Sequence, residues 1–194
     1  KKQLVSKQDP IDGKVINDLM DPPRKRRRTD NNGGDAGSGV AAASSASSST
    51  SPEDAPASAE EFLPAARKGD ERTVASALRN PLVDPNMVDQ DGFTALIFAA
   101  GGGRASVVTL LLADERVDPN IADQKGFTAL MFAADSVPVV TLLLANDRVD
   151  PNMANQNGFT ALTIAALKGH ASVVTLLLAD DRVDPNMANQ IGNT

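Results

Sequence analysis

Cysteine is absent from this chain of 194 residues, and histidine occurs once, as His170. The absence of cysteine excludes disulfides, thiolate metal sites and thiol nucleophiles. A single histidine leaves a Ser-His-Asp triad or a two-histidine metal site with little to build on. We therefore expect a protein that is not an enzyme and that carries neither a metal nor another cofactor.

Long hydrophobic runs are also missing. No apolar stretch approaches the roughly 18 residues that a membrane-spanning helix needs. The first ten residues, KKQLVSKQDP, are polar and lack the hydrophobic segment of a signal peptide. These features predict neither membrane insertion nor secretion, and they leave the nucleus or the cytoplasm as the expected compartment.

Charge is divided unevenly along the chain. Residues 1–59 hold nine Lys or Arg and eight Asp or Glu, a net charge of +1, whereas residues 60–194 hold ten and seventeen, a net charge of −7. Nucleic acid is therefore an unlikely partner of the second part, because phosphate binding needs a basic surface. A protein partner with a basic surface suits it better.

Residues 1–59 are predicted to form a disordered tail. Within it, residues 31–59 consist largely of Gly, Ala, Ser and Pro, a composition typical of flexible linkers. Ahead of this linker, residues 14–20 read KVINDLM and are too short to form a core by themselves. Two interpretations stay open for them: a disordered segment, or a short helix that a partner captures.

From residue 60 onward the sequence repeats itself. The triplet DPN begins at residues 84, 118, 150 and 184, with spacings of 34, 32 and 34. The motif GFTAL follows the first three triplets at a constant offset, and VVTLLL closes each of the same units. A divergent unit precedes them. The resulting domain, residues 60–194, divides into units at about 60–83, 84–117, 118–149 and 150–183 with a partial unit at 184–194.

The local chemistry of one unit indicates two short helices. Gly92 follows Asp91 and suits a turn with positive φ, and Thr94 then stands where a helix N-cap belongs. In the second half of the unit, Val107, Leu110 and Leu111 share one helix face. Helices this short are unstable alone, so they must stack on the helices of neighbouring units.

These motifs resemble the ankyrin repeat, whose period is about 33 residues. The resemblance implies an all-α solenoid of stacked helix-turn-helix units with β-hairpin fingers. It also implies a monomeric protein that binds another protein on its concave face, which the fingertips and the first helices form. The residues that the resemblance places there are Val88, Gln90, Asp91, Phe93, Gln124, Lys125, Phe127, Gln156, Asn157, Phe159, Leu167 and Lys168.

Two side-chain ladders in these units call for an interpretation. Phe93, Phe127 and Phe159 either anchor a partner, as exposed aromatic residues often do, or merely support the hairpins. The asparagines of the DPN triplets are better interpreted as structural, holding loop backbone through side-chain hydrogen bonds.

The tail contains a run of five basic residues that resembles a nuclear import signal read by an import receptor. The run consists of Arg24, Lys25, Arg26, Arg27 and Arg28. A solvated basic patch and an RNA or lipid contact are the alternatives. Thr29 and Ser51 match kinase-site patterns and are candidate phosphorylation residues.

Taken as a whole, the sequence predicts a non-enzymatic scaffold or adaptor that binds proteins. The alternative is a recruiting arm of a larger enzyme or signalling protein.

Two local features carry further predictions. Pro64 is costly inside a helix, so the first helix should begin near Phe62 rather than after Ser58. The unit at 118–149 lacks two residues, and we expect the loss to fall in the turn between its helices, with Val137 extended ahead of Pro138.

Overall fold

Residues 58–187 of the chain are described by a computed structural model, whereas the basic run, Thr29 and Ser51 lie outside the described residues. The described part contains eight helices, which are α1 (Ala59–Lys68), α2 (Glu71–Arg79), α3 (Ala95–Gly101), α4 (Ala105–Ala113), α5 (Ala129–Phe132), α6 (Val137–Leu144), α7 (Ala161–Leu167) and α8 (Ala171–Leu178).

The helices form two layers because each unit stacks on the next. The first helices of the units, α1, α3, α5 and α7, contact one another in that order, and the second helices, α2, α4, α6 and α8, do the same. The core lies between the layers, where Ile97, Leu111, Met131, Leu143 and Leu177 are fully buried. Each helix therefore obtains from its neighbours the stability that its length cannot supply.

The segments before α3, α5 and α7 are tight turns rather than paired strands. Within residues 58–187 the β-type pairing is limited to one isolated bridge between Ala122 and Thr128. Each turn closes with a backbone bond, such as the one from the Asp89 amide to the Phe93 carbonyl at 3.1 Å. The all-α repeat fold is confirmed, and the fingers that we expected as β-hairpins are turns.

Gly92 is required in the first of these turns for two separate reasons. Its φ is 87°, in the left-handed region that side chains disfavour. In addition, a Cβ atom at this position would lie 2.9 Å from the Gln124 backbone nitrogen of the next turn. The glycine thus permits both the turn and the close stacking of neighbouring turns.

Helix α1 begins earlier than the sequence predicts. Ser58 is its extended N-cap residue, and the Glu61 carboxylate accepts a hydrogen bond from the Ser58 amide at 3.2 Å. The expectation of a start near Phe62 is wrong, because the capping interaction holds Pro64 inside the helix. Pro64 and Glu60, whose carbonyl loses its helical partner, are both exposed, so water can satisfy that carbonyl.

In the unit with two missing residues, the first helix is shortened as well as the turn that follows it. Helix α5 has four residues, whereas α3 and α7 have seven each. The prediction that the loss falls only in the turn is therefore wrong. Val137 is helical rather than extended, since α6 begins there with Pro138 in its first turn. The short helix keeps its place because Met131 and Phe132 remain buried against the neighbouring units.

Candidate functional site

The conformation of each fingertip is set by one side chain. The Asp89 carboxylate accepts hydrogen bonds from the amides of Asp91 at 3.0 Å and Phe93 at 2.8 Å. Asp123 and Asn155 make the equivalent bonds in the next two fingers. These side chains replace a paired strand as the support of the turn.

Neighbouring fingertips are hydrogen-bonded into one ridge. The Gln124 side-chain amide donates to the Gln90 carbonyl at 2.6 Å, and the Gln156 side-chain amide donates to the Gln124 carbonyl at 2.7 Å. Backbone bonds from Gln124 to Asp91 and from Gln156 to Lys125 add to this connection. All five residues are exposed. The glutamines that we assigned to a partner surface therefore lie on the surface and also hold the fingers together.

Phe93 and Phe127 are not surface anchors. Their exposed fractions are 7% and 4%, because the Phe93 ring lies between the rings of Phe98 and Phe132 at centroid distances of 5.2 and 5.3 Å. The Phe127 ring packs on Phe132 at 5.7 Å. Phe159 is half-buried and packs against the same core. Of the two interpretations of this ladder, burial favours support of the turns for Phe93 and Phe127.

Sequence reasoning missed the two phenylalanines that bury this ladder. Phe98 and Phe132 each stand five residues after the phenylalanine of a GFTAL motif. From this position in the following helix, the ring packs against the phenylalanine of that motif. In the last complete unit the same position holds Ile164. The recurring F-x-x-x-x-F spacing in two consecutive units was the available signal.

Asparagines of the DPN triplets join consecutive units. Asn86 donates from Nδ2 to the Arg116 carbonyl at 2.7 Å and accepts at Oδ1 from the Asp118 amide at 2.8 Å. Asn120 and Asn152 make the same two bonds with the unit that follows each of them. Since each amide group uses both its donor and its acceptor on backbone, the structural interpretation of this ladder is confirmed.

Comparison with known protein families gives a match to ankyrin repeats over residues 62–155 and again over residues 115–189, which together cover more than half of the chain. The chain belongs to the ankyrin-repeat family. No curated protein matches it.

Most of the predicted partner residues lie on the surface of the ankyrin array. Val88 at the first fingertip is 50% exposed and Leu167 at the end of α7 is 46% exposed, whereas Lys168 is half-buried. Stacking of the units places the fingertip residues along one edge. The exposed members are Val88, Gln90, Asp91, Gln124, Lys125, Gln156, Asn157 and Leu167.

An arginine in each later ankyrin unit clamps the unit before it, a contact that sequence reasoning missed. The Arg148 guanidinium donates to three backbone carbonyls at or beyond the end of α4, those of Leu112 at 2.9 Å, Glu115 at 3.1 Å and Val117 at 2.7 Å. A cation is favourable there because the carbonyls at a helix C-terminus carry partial negative charge. The signal was the recurring R-V-D-P-N, which reads L-V-D-P-N only in the first unit.

Two of these arginines also form ion pairs within their own unit. The hydrogen bond from Arg116 holds the pKa of Asp114 below its ordinary value of 3.8, and Arg182 lowers the pKa of Asp180 in the same way. A lowered folded-state pKa adds stability at neutral pH, and this stability is lost as the pH falls through that pKa. Asn146 takes the aspartate position in the middle unit, so Arg148 binds the preceding unit's carbonyls without this aspartate, whereas Arg116 and Arg182 bind both carbonyls and their aspartates.

The described ankyrin residues offer no group of His, Asp and Glu side chains that could hold a metal ion. Within the same residues, no helix is long and apolar enough to cross a membrane.

His170 is the N-cap residue of α8, next to Gly169 with its positive φ of 73°. That position is a helix-to-helix turn.

Proposed function

We propose that this ankyrin array is a non-enzymatic interaction scaffold that binds a partner protein along the fingertips and the ends of the first helices. The observation that supports it is where the units differ from one another. The motifs GFTAL, VVTLLL and DPN recur unchanged, whereas the exposed fingertip position carries Asp91, Lys125 and Asn157 in turn. Differences at exposed positions between units that share the same motifs are what a surface adapted to one partner requires.

The ends of the first helices vary in the same way. The unit at 84–117 presents Gly101 and Gly102, the next presents Asp135, and the third presents Leu167 beside Lys168. The surface therefore changes from small to acidic to apolar along the array. A partner that reads this sequence of properties would bind in one register only, because shifting it by one unit would misplace every contact.

A basic partner surface fits the charge of the array. Exposed aspartates open the units, as Asp84, Asp118 and Asp150 do. The cations nearest to them are engaged, since the Arg116 and Arg148 side chains bind backbone carbonyls. Exposed carboxylates beside engaged cations attract a positively charged partner over long range and speed its association at low salt.

The fingertip substitution tests the proposal. The triple variant Asp91→Ala, Lys125→Ala and Asn157→Ala is expected to weaken capture of the physiological partner about tenfold or more, because interface charges at a binding edge contribute to affinity and specificity. These three side chains can be removed without disturbing the ridge, whose hydrogen bonds at these positions come from the backbone. Partners are captured from cell extract with each variant and quantified by mass spectrometry.

The matched control removes three exposed side chains from the second helices. Thr109, Thr141 and Thr175 each donate a hydroxyl hydrogen bond to a carbonyl of their own helix and are exposed. Their combined change to alanine should leave capture unchanged. Equal capture by the wild type and the fingertip variant, or equal loss in both triple variants, would contradict binding at the fingertips.

Nuclear placement is a further part of the proposal. It rests on the five consecutive basic residues at 24–28, which lie outside the described residues. Changing all five to alanine in a fluorescent fusion of the full chain is expected to move most of the signal from the nucleus to the cytoplasm, because an import receptor reads extended cations. The control changes Lys1, Lys2, Lys7 and Lys14. An unchanged nuclear signal in the variant with the altered run would overturn the assignment.

A further inference from the structure

An open groove of about 610 Å³ lies at the N-terminal end of the array. One wall is a face of α1, and the other comes from the loop that leads to the first finger and from α3. The apolar part of its lining is formed by Ala59, Leu63, Pro64, Met87 and Phe98. The groove is thus a mostly apolar surface with room for several side chains.

The unit that contains α1 lacks the finger motif of the later units. Helices α3, α5 and α7 each begin within a GFTAL motif whose turn packs against its neighbours, whereas no such motif precedes α1 in the sequence. Leu63 packs only partly against the core, and Met87 is likewise half-buried. Apolar side chains that stay partly exposed to water favour an apolar occupant of the groove.

Charged groups at the rim restrict which occupant fits. Arg67 and Lys68 stand at one end of the α1 face, and Arg67 lies with its guanidinium 5.9 Å from the centre of the Phe98 ring. Among the described residues neither cation takes part in an ion pair. Glu60 and Asp89 line the same groove. An occupant with apolar side chains and acidic groups placed to meet Arg67 and Lys68 would satisfy this arrangement.

We propose that residues 15–20 of this chain dock in the groove as a short helix. Residues 1–57 contain eight large aliphatic side chains, and four of them fall in this stretch, as Val15, Ile16, Leu19 and Met20. Their spacing of i and i+4 places them on one helix face. Asp18 within the segment and Asp21 directly after it supply the acidic groups that complement Arg67 and Lys68.

Because the docking segment and the groove belong to one chain, a weak intrinsic affinity is enough for the segment to occupy the groove. Thirty-seven residues, 21–57, separate the docking segment from Ser58. The Gly, Ala, Ser and Pro composition of residues 31–57 is typical of flexible linkers, and 37 residues of such a linker span roughly 33 Å on average, enough to reach a groove that is lined by Ala59. Such tethering gives an effective concentration on the order of millimolar, so even a millimolar intrinsic affinity fills the groove about half of the time.

The docked segment would cover the N-terminal end of the partner-binding edge. Asp89 lines the groove and also shapes the first fingertip, so the two surfaces adjoin. A partner that extends to this end must displace residues 15–20, which makes the tail an internal competitor. This contact is made within one chain and does not depend on the proposed partner binding.

Methionine methyl groups provide a direct test in the full chain. The five methionines are Met20 in the docking segment, Met87 in the groove, the buried Met131, and Met153 and Met187 elsewhere in the array. In spectra of the 13C-methyl-labelled protein, the double variant Ile16→Asp and Leu19→Asp is expected to shift the signals of Met20 and Met87. The signals of Met131, Met153 and Met187 should stay in place, because the array itself is unchanged.

The matched control is the double variant Leu4→Asp and Val5→Asp, which makes the same change of charge and polarity elsewhere in the tail. It should leave all five signals in place. The reciprocal variant Arg67→Glu should move the Met20 signal toward its position in the Ile16→Asp and Leu19→Asp protein. A Met87 signal that ignores the first double variant overturns the proposal. So does a Met87 signal that shifts with wild-type protein concentration, which would indicate a second copy as the occupant.

Discussion

Phe132→Ala is expected to lower the free energy of unfolding by about 3–5 kcal/mol. The Phe132 ring is 7% exposed and contacts the rings of both Phe93 and Phe127. Its removal leaves a cavity between the units at 84–117 and 118–149, beside the rest of the four-residue helix α5. Urea unfolding followed by circular dichroism measures the loss.

Two further substitutions calibrate this result. Phe159→Ala should cost clearly less, because Phe159 is half-buried. Val137→Ala, at a position that is 40% exposed in the same unit, should cost under about 1 kcal/mol. If the three variants were equally stable, the buried aromatic stack would not be the main support of the middle unit, and the rings would again be candidates for partner contact.

Arg148→Met is expected to lower the free energy of unfolding by about 2 kcal/mol. The substitution keeps much of the side-chain length but removes three hydrogen bonds to carbonyls of the preceding unit. One of these carbonyls belongs to Val117, which is 2% exposed and would be left without this donor. Because Arg148 is itself exposed, solvent reduces the effect below the sum of three charged bonds.

The control for the clamp is Arg104→Met, which removes the same charge from another exposed residue of the array. It should change stability by less than about 0.5 kcal/mol. Native-state hydrogen exchange adds a spatial measurement, since loss of the clamp should increase exchange at the end of α4 more than in α8. Equal stability of the two arginine variants would show that the clamp contributes nothing beyond its charge.

Local rules predicted the parts of the structure that depend on a few neighbouring residues. The glycine of each GFTAL motif takes positive φ, with values of 87° for Gly92, 85° for Gly126 and 79° for Gly158. Thr94 accepts the N-cap hydrogen bond from the Ile97 amide at 3.2 Å. The period also predicted the stacking, because helices of four to ten residues need neighbours.

The same local rules failed for side chains whose surroundings come from a neighbouring unit. Phe93 belongs to a fingertip motif, but its ring is buried because the first helix of the next unit places the centroid of the Phe132 ring 5.3 Å from its own. The Arg148 clamp joins residues more than thirty positions apart, so no short window of sequence contains both partners. The exposure that we expected of the fingertip residues is present for the polar ones but not for Phe93 and Phe127.

The sequence by itself determined the ankyrin family, the order of the units and the turns, since these follow from motifs repeated at fixed spacing. Only the tertiary structure decided which side chains remain on the surface. It buried Phe93 and Phe127, kept Asp91 and Lys125 exposed, and opened the groove beside α1. The physical reason is that burial depends on what the adjacent unit places against a residue, and that contact spans a full repeat of the chain.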